Sequence, residues 1–478
     1  METEEENDPG ACAAELDALS SRAPANDGPG AGPGEGPGEG PGAPPVGAAR
    51  ERDARLARVA ARSLEAQRPL RVLSALQWDR AVWERFRREG FRELPSVDAE
   101  TYRAMALGFD PQARARDFED LTREVRQGFA GDPLAEVLAR TCEDYAGTCH
   151  MLAARGTRAF YGWSRRLYGS PKDRLPEGCR VGDVARSFQQ RVALLDEGTL
   201  GTLSPRVLDG AQVAAALRRR FRRYFGGDPV AVVLDDSLVA DAAAGSDYVK
   251  IRASARFSPR DVDILEVHEG WVHVATSLNG AAQPVARWLA KGPPRTTAVQ
   301  EGLASLMEVL TLRSHPRRAR RLNERVLAVD HAEEGGDFLE VFEWYRARGY
   351  EAEDCYNGAR RVFRGGVLTG GAPFTKDIAY TRGFVDNWRF LRDALRQGRP
   401  EQVRNLFVGK VAHEDVAVLT ECITEGRVNP PRFVPRVVSD LNGLAIWVAN
   451  TEVLGARPTP SDPAAPRPRA NPRAEPTS

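Results

Sequence analysis

The chain has 478 residues, 42% of them hydrophobic, which is enough for one large core or two modest ones once the tails are set aside. Basic and acidic residues balance at 67 each, so net charge does not point to nucleic acid or an anionic membrane as partner, and only a local basic patch stays open. Six scattered cysteines (Cys12, Cys142, Cys149, Cys179, Cys355 and Cys422) form no CxxC pair, and no segment is apolar enough to span a bilayer. Free thiols in a soluble, cytoplasmic protein are therefore expected.

Residues 1–50 begin acidic and pass into Gly, Pro, Glu and Ala repeats between Gly30 and Pro45, a composition that cannot offset its ordering entropy by burial and is predicted to be disordered. Residues 51–225 form a mostly helical part, with turn signals at Gly108, Gly131, Gly169 and Gly198. Its aromatic cluster Phe160, Tyr161, Trp163 and Tyr168 is expected to pack one helix on another. Residues 226–454 complete the folded unit and carry the chemistry discussed below. Residues 455–478, rich in Pro, Ala and Arg, are expected to form a flexible tail.

Val230–Leu234 and Tyr248–Ile251 read as short strands joined by an Asp- and Ala-rich loop. A marked helix start follows: Ser258 as N-cap, Pro259 at the first helical position and Asp261 in the first turn. This helix is predicted to carry Val262, Leu265 and Val272 toward the core and to stop at Asn279-Gly280. Beyond Gly292-Pro293-Pro294, Thr297 is predicted to cap a second helix, with Gln300 completing a capping box and Pro316 ending it. Further helices are expected to Trp447, interrupted by a glycine-rich segment from Arg364 to Asp377.

The first of these helices holds His268-Glu269-Gly270-Trp271-Val272-His273, and the second begins with Gln300-Glu301-Gly302-Leu303-Ala304. Zinc chemistry needs imidazoles or carboxylates converging on one ion, with a position left for water. His268, His273 and Glu301 supply three such ligands, and Glu269 is left to take a proton from the attacking water. The histidines are five residues apart, however, which places them about 140° apart on a regular helix. A π-type irregularity or a distortion at Gly270 is required to bring them together. The plain alternative is two helix-face histidines and a first-turn glutamate. Glu308, nearly on the face of Glu301, either orients a ligand histidine or is solvated or salt-bridged. His315, beside Pro316, suits a helix end, and His150, His331 and His413 have no assigned role.

Gly365 to Asp377 lacks the GxxxxGK[ST] order of a phosphate loop, which argues against nucleotide binding. Arg364 and Lys376 flank a stretch able to approach a substrate backbone and pair with a terminal carboxylate. Tyr380 and Arg382 are candidates to help hold that carboxylate or to stabilise an oxyanion. The alternative is a structural loop with solvated cations.

The HExxxH motif at His268, QEGLA from Gln300 and the GGxPFTKD-like run from Gly370 together resemble the QEGLA-motif family, often labelled flavohemoglobin expression-modulating proteins. They are similar also to its animal relatives, the microtubule-associated tyrosine carboxypeptidases. The resemblance spans roughly Leu70 to Val448 and implies an α+β, predominantly helical zincin-like metallopeptidase with a small sheet beside the active-site helix. It implies one Zn2+ per chain on His268, His273 and Glu301, with Glu269 as catalytic base. The activity implied is that of a metallocarboxypeptidase acting on a peptide or protein C-terminal tail, with tyrosine the residue that the animal relatives remove. The Ala-, Arg- and Gly-rich composition looks more like a bacterial member. A nonenzymatic zinc-containing regulator and a metalloendopeptidase are the alternatives. Neither nucleic acid nor membrane is expected as partner.

Overall fold

Proline and aspartate set several helix starts. Asp110 accepts hydrogen bonds from the Gln112 and Ala113 N–H groups, with Pro111 at the first position of helix Pro111–Gly128. Asp132 and Pro133 repeat the device for Pro133–Ala153, and Gly131, at φ +79°, makes the reversal between them. The two helices pack along their length around Phe118, Leu121, Val125, Leu134, Leu138 and Cys142. The computed structural model describes residues 46–195, 200, 204–227, 230–236, 238 and 240–455. Of the tails expected at 1–50 and 455–478, residues 1–45 and 456–478 lie outside the described residues, as does the turn expected at Gly198, whereas residues 46–50 begin the helix Val46–Gln67 and Gly455 ends the helix Leu441–Gly455. The described residues from Arg50 onward form one compact unit, which joins the helical stretch to the motif-bearing one.

The two predicted strands form, the first as β2 (Ala231–Leu234) and the second as β4 (Tyr248–Ile251), which pair in parallel. The loop between them holds an unforeseen strand, β3 (Ala242–Ala244), antiparallel to β4 in the order β2-β4-β3. Three alanines carry too weak a strand preference to announce it. A second sheet pairs β1 (Leu208–Asp209) with β5 (Arg256–Phe257). β3 lies at a sheet edge. Arg252 N–H donates to Asp241 and Gly245 N–H to Tyr248. The alternation of antiparallel pairing therefore turns the backbone groups of Ala242 and Ala244 away from β4.

The motif helix starts as predicted. Ser258 accepts from Asp261 N–H, the Asp261 carboxylate accepts from Ser258 N–H, and Pro259 occupies the first position. It runs in three sections, α-helical Pro259–Leu265, π-helical Glu266–Val274 and α-helical Ala275–Ala281. One side of it, with Val267 and Val272, joins the core of the helical bundle. Another, with Val262, Val274 and Ala275, joins Phe221, Phe225, Val249, Ile251 and Phe257 under the sheet. A third core of Trp78, Trp83, Phe86, Phe338, Phe342 and Tyr356 lies around the later helices. Of the aromatic cluster, Phe160 is a core residue packed on Phe374, Trp163 and Tyr168 are half-buried against that core, and Tyr161 is half-buried.

The motif helix ends at Ala281, one residue past the stop expected at Asn279-Gly280, and two other boundaries differ from expectation. Asn279 bridges the Phe407 and Phe433 carbonyls, and a Cβ on Gly280 would lie 2.3 Å from the Leu289 backbone, so both residues serve packing. Thr297 does not cap the second helix. A 3-10 turn, Pro294–Thr296, runs directly into Thr297–Leu310 and already supplies partners for the first N–H groups, which frees the Gln300 side chain. That helix ends at Leu310, and Pro316 opens the next one, Pro316–Glu333, with His315 at its N-cap position rather than at a helix end.

Candidate metal centre

The π-helical section resolves the five-residue spacing. In it the hydrogen bonds reach back five residues, as from Ala275 N–H to the Gly270 carbonyl, so positions five apart nearly align. His268 and His273 accordingly face each other with ring centroids 4.9 Å apart. Gly270 lets this helix close on its neighbour, because a Cβ there would sit 2.3 Å from Phe221 Cε1.

Glu301 comes from helix Thr297–Leu310, which crosses Ala379–Arg396 at two glycines. A Cβ on Gly302 would lie 1.9 Å from the Gly383 backbone, and one on Gly383 would lie 1.8 Å from the Ala298 carbonyl. Glu301 Oε2 is thereby held 3.6 Å from His268 Nε2 and 4.0 Å from His273 Nε2. Among the described residues, His268, His273 and Glu301 form the group whose ligand atoms all lie within 4.8 Å of one another. Bonds of about 2 Å in a tetrahedron put ligand atoms roughly 3.3 Å apart, so side-chain shifts below 1 Å close the set on one ion. Two nitrogens and a carboxylate oxygen are also the donor chemistry that zinc takes.

Both rings are anchored from behind. Glu308 Oε1 lies 2.7 Å from His268 Nδ1, and Arg318 grips Glu308 at 2.8 and 3.1 Å. Glu308 is buried, and it is both salt-bridged and the group that orients His268. Gln300 Oε1 lies 3.4 Å from His273 Nδ1 and also meets Thr276 Oγ1 at 3.0 Å and Lys410 Nζ at 3.1 Å.

Charge follows this geometry. Burial disfavours a charged His268, but Glu301 and Glu308 outweigh it and hold the ring up to about 10. Burial and the neighbouring His268 push His273 down to about 3. Against burial, Lys376 and the two histidines hold Glu301 well below the usual carboxylate range. Burial opposes ionisation of Glu308 as well, yet Arg318 and His268 bring it down to about 2. Glu269 shifts the other way: burial raises it, and Glu301 adds to the effect. Its Oε2 accepts from the outward Ala244 N–H of β3 at 2.8 Å.

The remaining candidates divide. Lys376 reaches Glu301 Oε1 at 3.3 Å. Tyr380 is buried beneath Arg325, whose Cζ is 5.0 Å from the ring centre. Arg364 is buried over Phe374, and no carboxylate lies within ion-pair distance of it among the described residues. Arg382 is not brought to the cluster. Two positions on from Tyr380, about 200° round the helix, it is tied to Asp173 and Asp386 at 3.2 and 3.5 Å. The glycines of the flanking loop pack on protein: a Cβ on Gly370 would meet the Gly335 carbonyl at 2.1 Å, and one on Gly366 the Ala372 carbonyl at 2.3 Å. His150 pairs with Glu119 and His413 with Asn387, away from the cluster. Residues not foreseen are Arg318, Arg325, Lys410 and β3. One signal was available, since only Lys172, Lys250, Lys291, Lys376 and Lys410 of the 67 basic residues are lysines and two of these five end at the cluster.

The family model for microtubule-associated tyrosine carboxypeptidase matches residues 84–455, more than three-quarters of the chain. The chain belongs to this family. A comparison with curated proteins finds no match. Membership in the tyrosine carboxypeptidase family places the chain among carboxypeptidase-type peptidases, and its boundaries take in both helices of the cluster and the loop that carries Lys376. No helix among the described residues is long and apolar enough to cross a membrane.

Proposed function

We propose that the chain is a zincin-like, zinc-dependent metallocarboxypeptidase that removes the last residue of a peptide or protein tail. The observation that carries this reading is the convergence of His268 Nε2, His273 Nε2 and Glu301 Oε2 beside the buried carboxyl of Glu269. One zinc ion on these three side chains would supply Lewis acidity toward a substrate carbonyl. Glu269 takes the proton of the attacking water and passes it to the leaving amine, a role suited by a carboxyl whose pKa burial has raised. The substrate backbone extends along the open edge of β3, where Ala242 and Ala244 present their outward groups next to Glu269.

For the terminal carboxylate we assign Arg325 and Arg364, with Lys376 at the inner end. Burying a cation with no paired anion costs several kcal/mol, by about the scale of a broken buried ion pair. Neither Arg325 nor Arg364 has a carboxylate within ion-pair distance among the described residues, and burial lowers the pKa of both. Arg361, by contrast, is fully engaged with Asp377 at 2.8 and 2.8 Å. An incoming carboxylate offsets the unpaired charge, as a free C-terminus does and an internal peptide bond does not. Tyrosine, from the family's description, is the first candidate for the residue removed.

The test is metal analysis followed by cleavage of a mixed peptide library, read by mass spectrometry, with Glu269→Gln as control. One zinc per chain and loss of single C-terminal residues, abolished by Glu269→Gln and by C-terminal amidation, are expected. Internal cuts would make the protein an endopeptidase. Bound zinc without any cleavage would favour a nonenzymatic regulator.

A further inference from the structure

Lys410 is a partly buried cation whose hydrogen bonds go to two neutral acceptors, Gln300 Oε1 at 3.1 Å and the His273 carbonyl at 3.2 Å. Among the described residues no carboxylate lies within ion-pair distance of it. Its backbone is fixed, since its N–H donates to the Leu289 carbonyl at 2.7 Å. A Cβ on the preceding Gly409 would lie 2.5 Å from Leu289 Cβ, so this loop sits tight on its neighbour. Placing a charge here without a paired carboxylate costs stability, and in a chain with only five lysines among its 67 basic residues the compact ammonium stands at this position.

Donor and acceptor inventory shows what the ammonium does. A lysine ammonium only donates, so the Gln300 atom facing it is the amide oxygen, and a flipped amide would set donor against donor. That same oxygen faces His273 Nδ1 at 3.4 Å. An acceptor there requires the ring proton on Nδ1, which leaves the Nε2 lone pair directed at Glu301 Oε2, 4.0 Å away. Among the described residues Gln300 Nε2 has no partner, so the amide holds this orientation through its oxygen alone, on Lys410 and on the Thr276 hydroxyl, which unlike the ammonium can also accept.

We propose that Lys410 is a positioning residue that fixes the amide orientation of Gln300 and, through it, the ring tautomer of His273 needed to bind a metal. The inference rests on the metal reading above. The two histidines are thus set by different devices, His268 by the ionised Glu308 under Arg318 and His273 by a neutral amide whose direction a lysine dictates.

The full-length protein carrying 15N-labelled histidine tests this by NMR of the imidazole nitrogens, with His273→Asn identifying the resonances, together with zinc affinity by chelator competition. In the wild type His273 is expected as the Nδ1–H tautomer. Lys410→Met is expected to populate the Nε2–H tautomer and to weaken zinc binding by about 10- to 100-fold. Gln300→Leu is expected to do the same, whereas Gln300→Glu, which keeps an acceptor, should retain the wild-type tautomer. If Lys410→Met does not fold, the Gln300 pair makes the same comparison. A His273 ring that stays wholly Nδ1–H in both Lys410→Met and Gln300→Leu, or zinc affinity within twofold of wild type in both, overturns the proposal. Because the tautomer is read without turnover, a protein that cleaves no peptide yet shows the tautomer change would sink the peptidase reading and leave this one standing.

Discussion

As the proposed base, Glu269 has to be ionised to take a proton and buried enough to take it readily. Burial raises its pKa above the ordinary glutamate value, and only the deprotonated form is active as a base. The acid limb of kcat/KM is therefore expected above the usual carboxylate range, with activity rising as pH climbs through it. Replacing Glu269 by Gln should lower kcat by about 100-fold or more while bound zinc stays at one per chain. Zinc lost together with activity in that variant would instead make Glu269 a ligand. That His268, His273 and Glu301 belong to one group beside Glu269 was legible because residue type and motif order carry it. Arg325 and Lys410 were not, because a cation's use depends on which groups share its burial, and those lie 55 to 137 positions away in the chain.

The motif helix shows how one element settles a question the spacing left open. Five residues between histidines is a poor fit to an α-helix, and the π section makes it a good one. Its stability depends on Gly270, which Phe221 approaches too closely to admit a Cβ. Gly270→Ala is expected to cost about 1 to 3 kcal/mol by overpacking and to weaken zinc retention, because relief requires the helix to move off Phe221. Adding Phe221→Leu should recover part of both. Calorimetry and chelator competition on the single and double variants decide it: unchanged zinc affinity in Gly270→Ala would uncouple the glycine from the site. The start of this helix was readable from Ser258, Pro259 and Asp261, since capping is local chemistry. Its end at Ala281 falls one residue past the expected Asn279-Gly280, but the packing of those two residues was not readable, because they are held by contacts with residues after 280, which no local rule registers.

Across the molecule, buried ion pairs tie the site to the rest of the chain. Asp377 beside Lys376 grips Arg361, and against the effect of burial that pair brings its pKa down to about 2. A carboxylate whose folded pKa is depressed adds stability above its unfolded pKa near 4, and that stability drains away as pH falls toward 2. Asp377→Asn should therefore cost about 2 to 5 kcal/mol at pH 7, with the gap to wild type narrowing as acid is added. Denaturant unfolding at pH 7 and pH 3 checks this, and an equal gap at both values would refute it. By itself, the sequence determined the helical α+β class, the two flanking strands, the start of the motif helix and the choice of His268, His273 and Glu301 as the proposed ligand set, because periodicity, capping and donor chemistry act over a few residues. Only the tertiary structure decided that the histidines align, that Gly302 and Gly383 let two helices carry Glu301 into place, and that Arg382 pairs elsewhere. Those outcomes depend on close packing and on the pairing of charges distant in the chain, and both exist only once the chain has closed on itself.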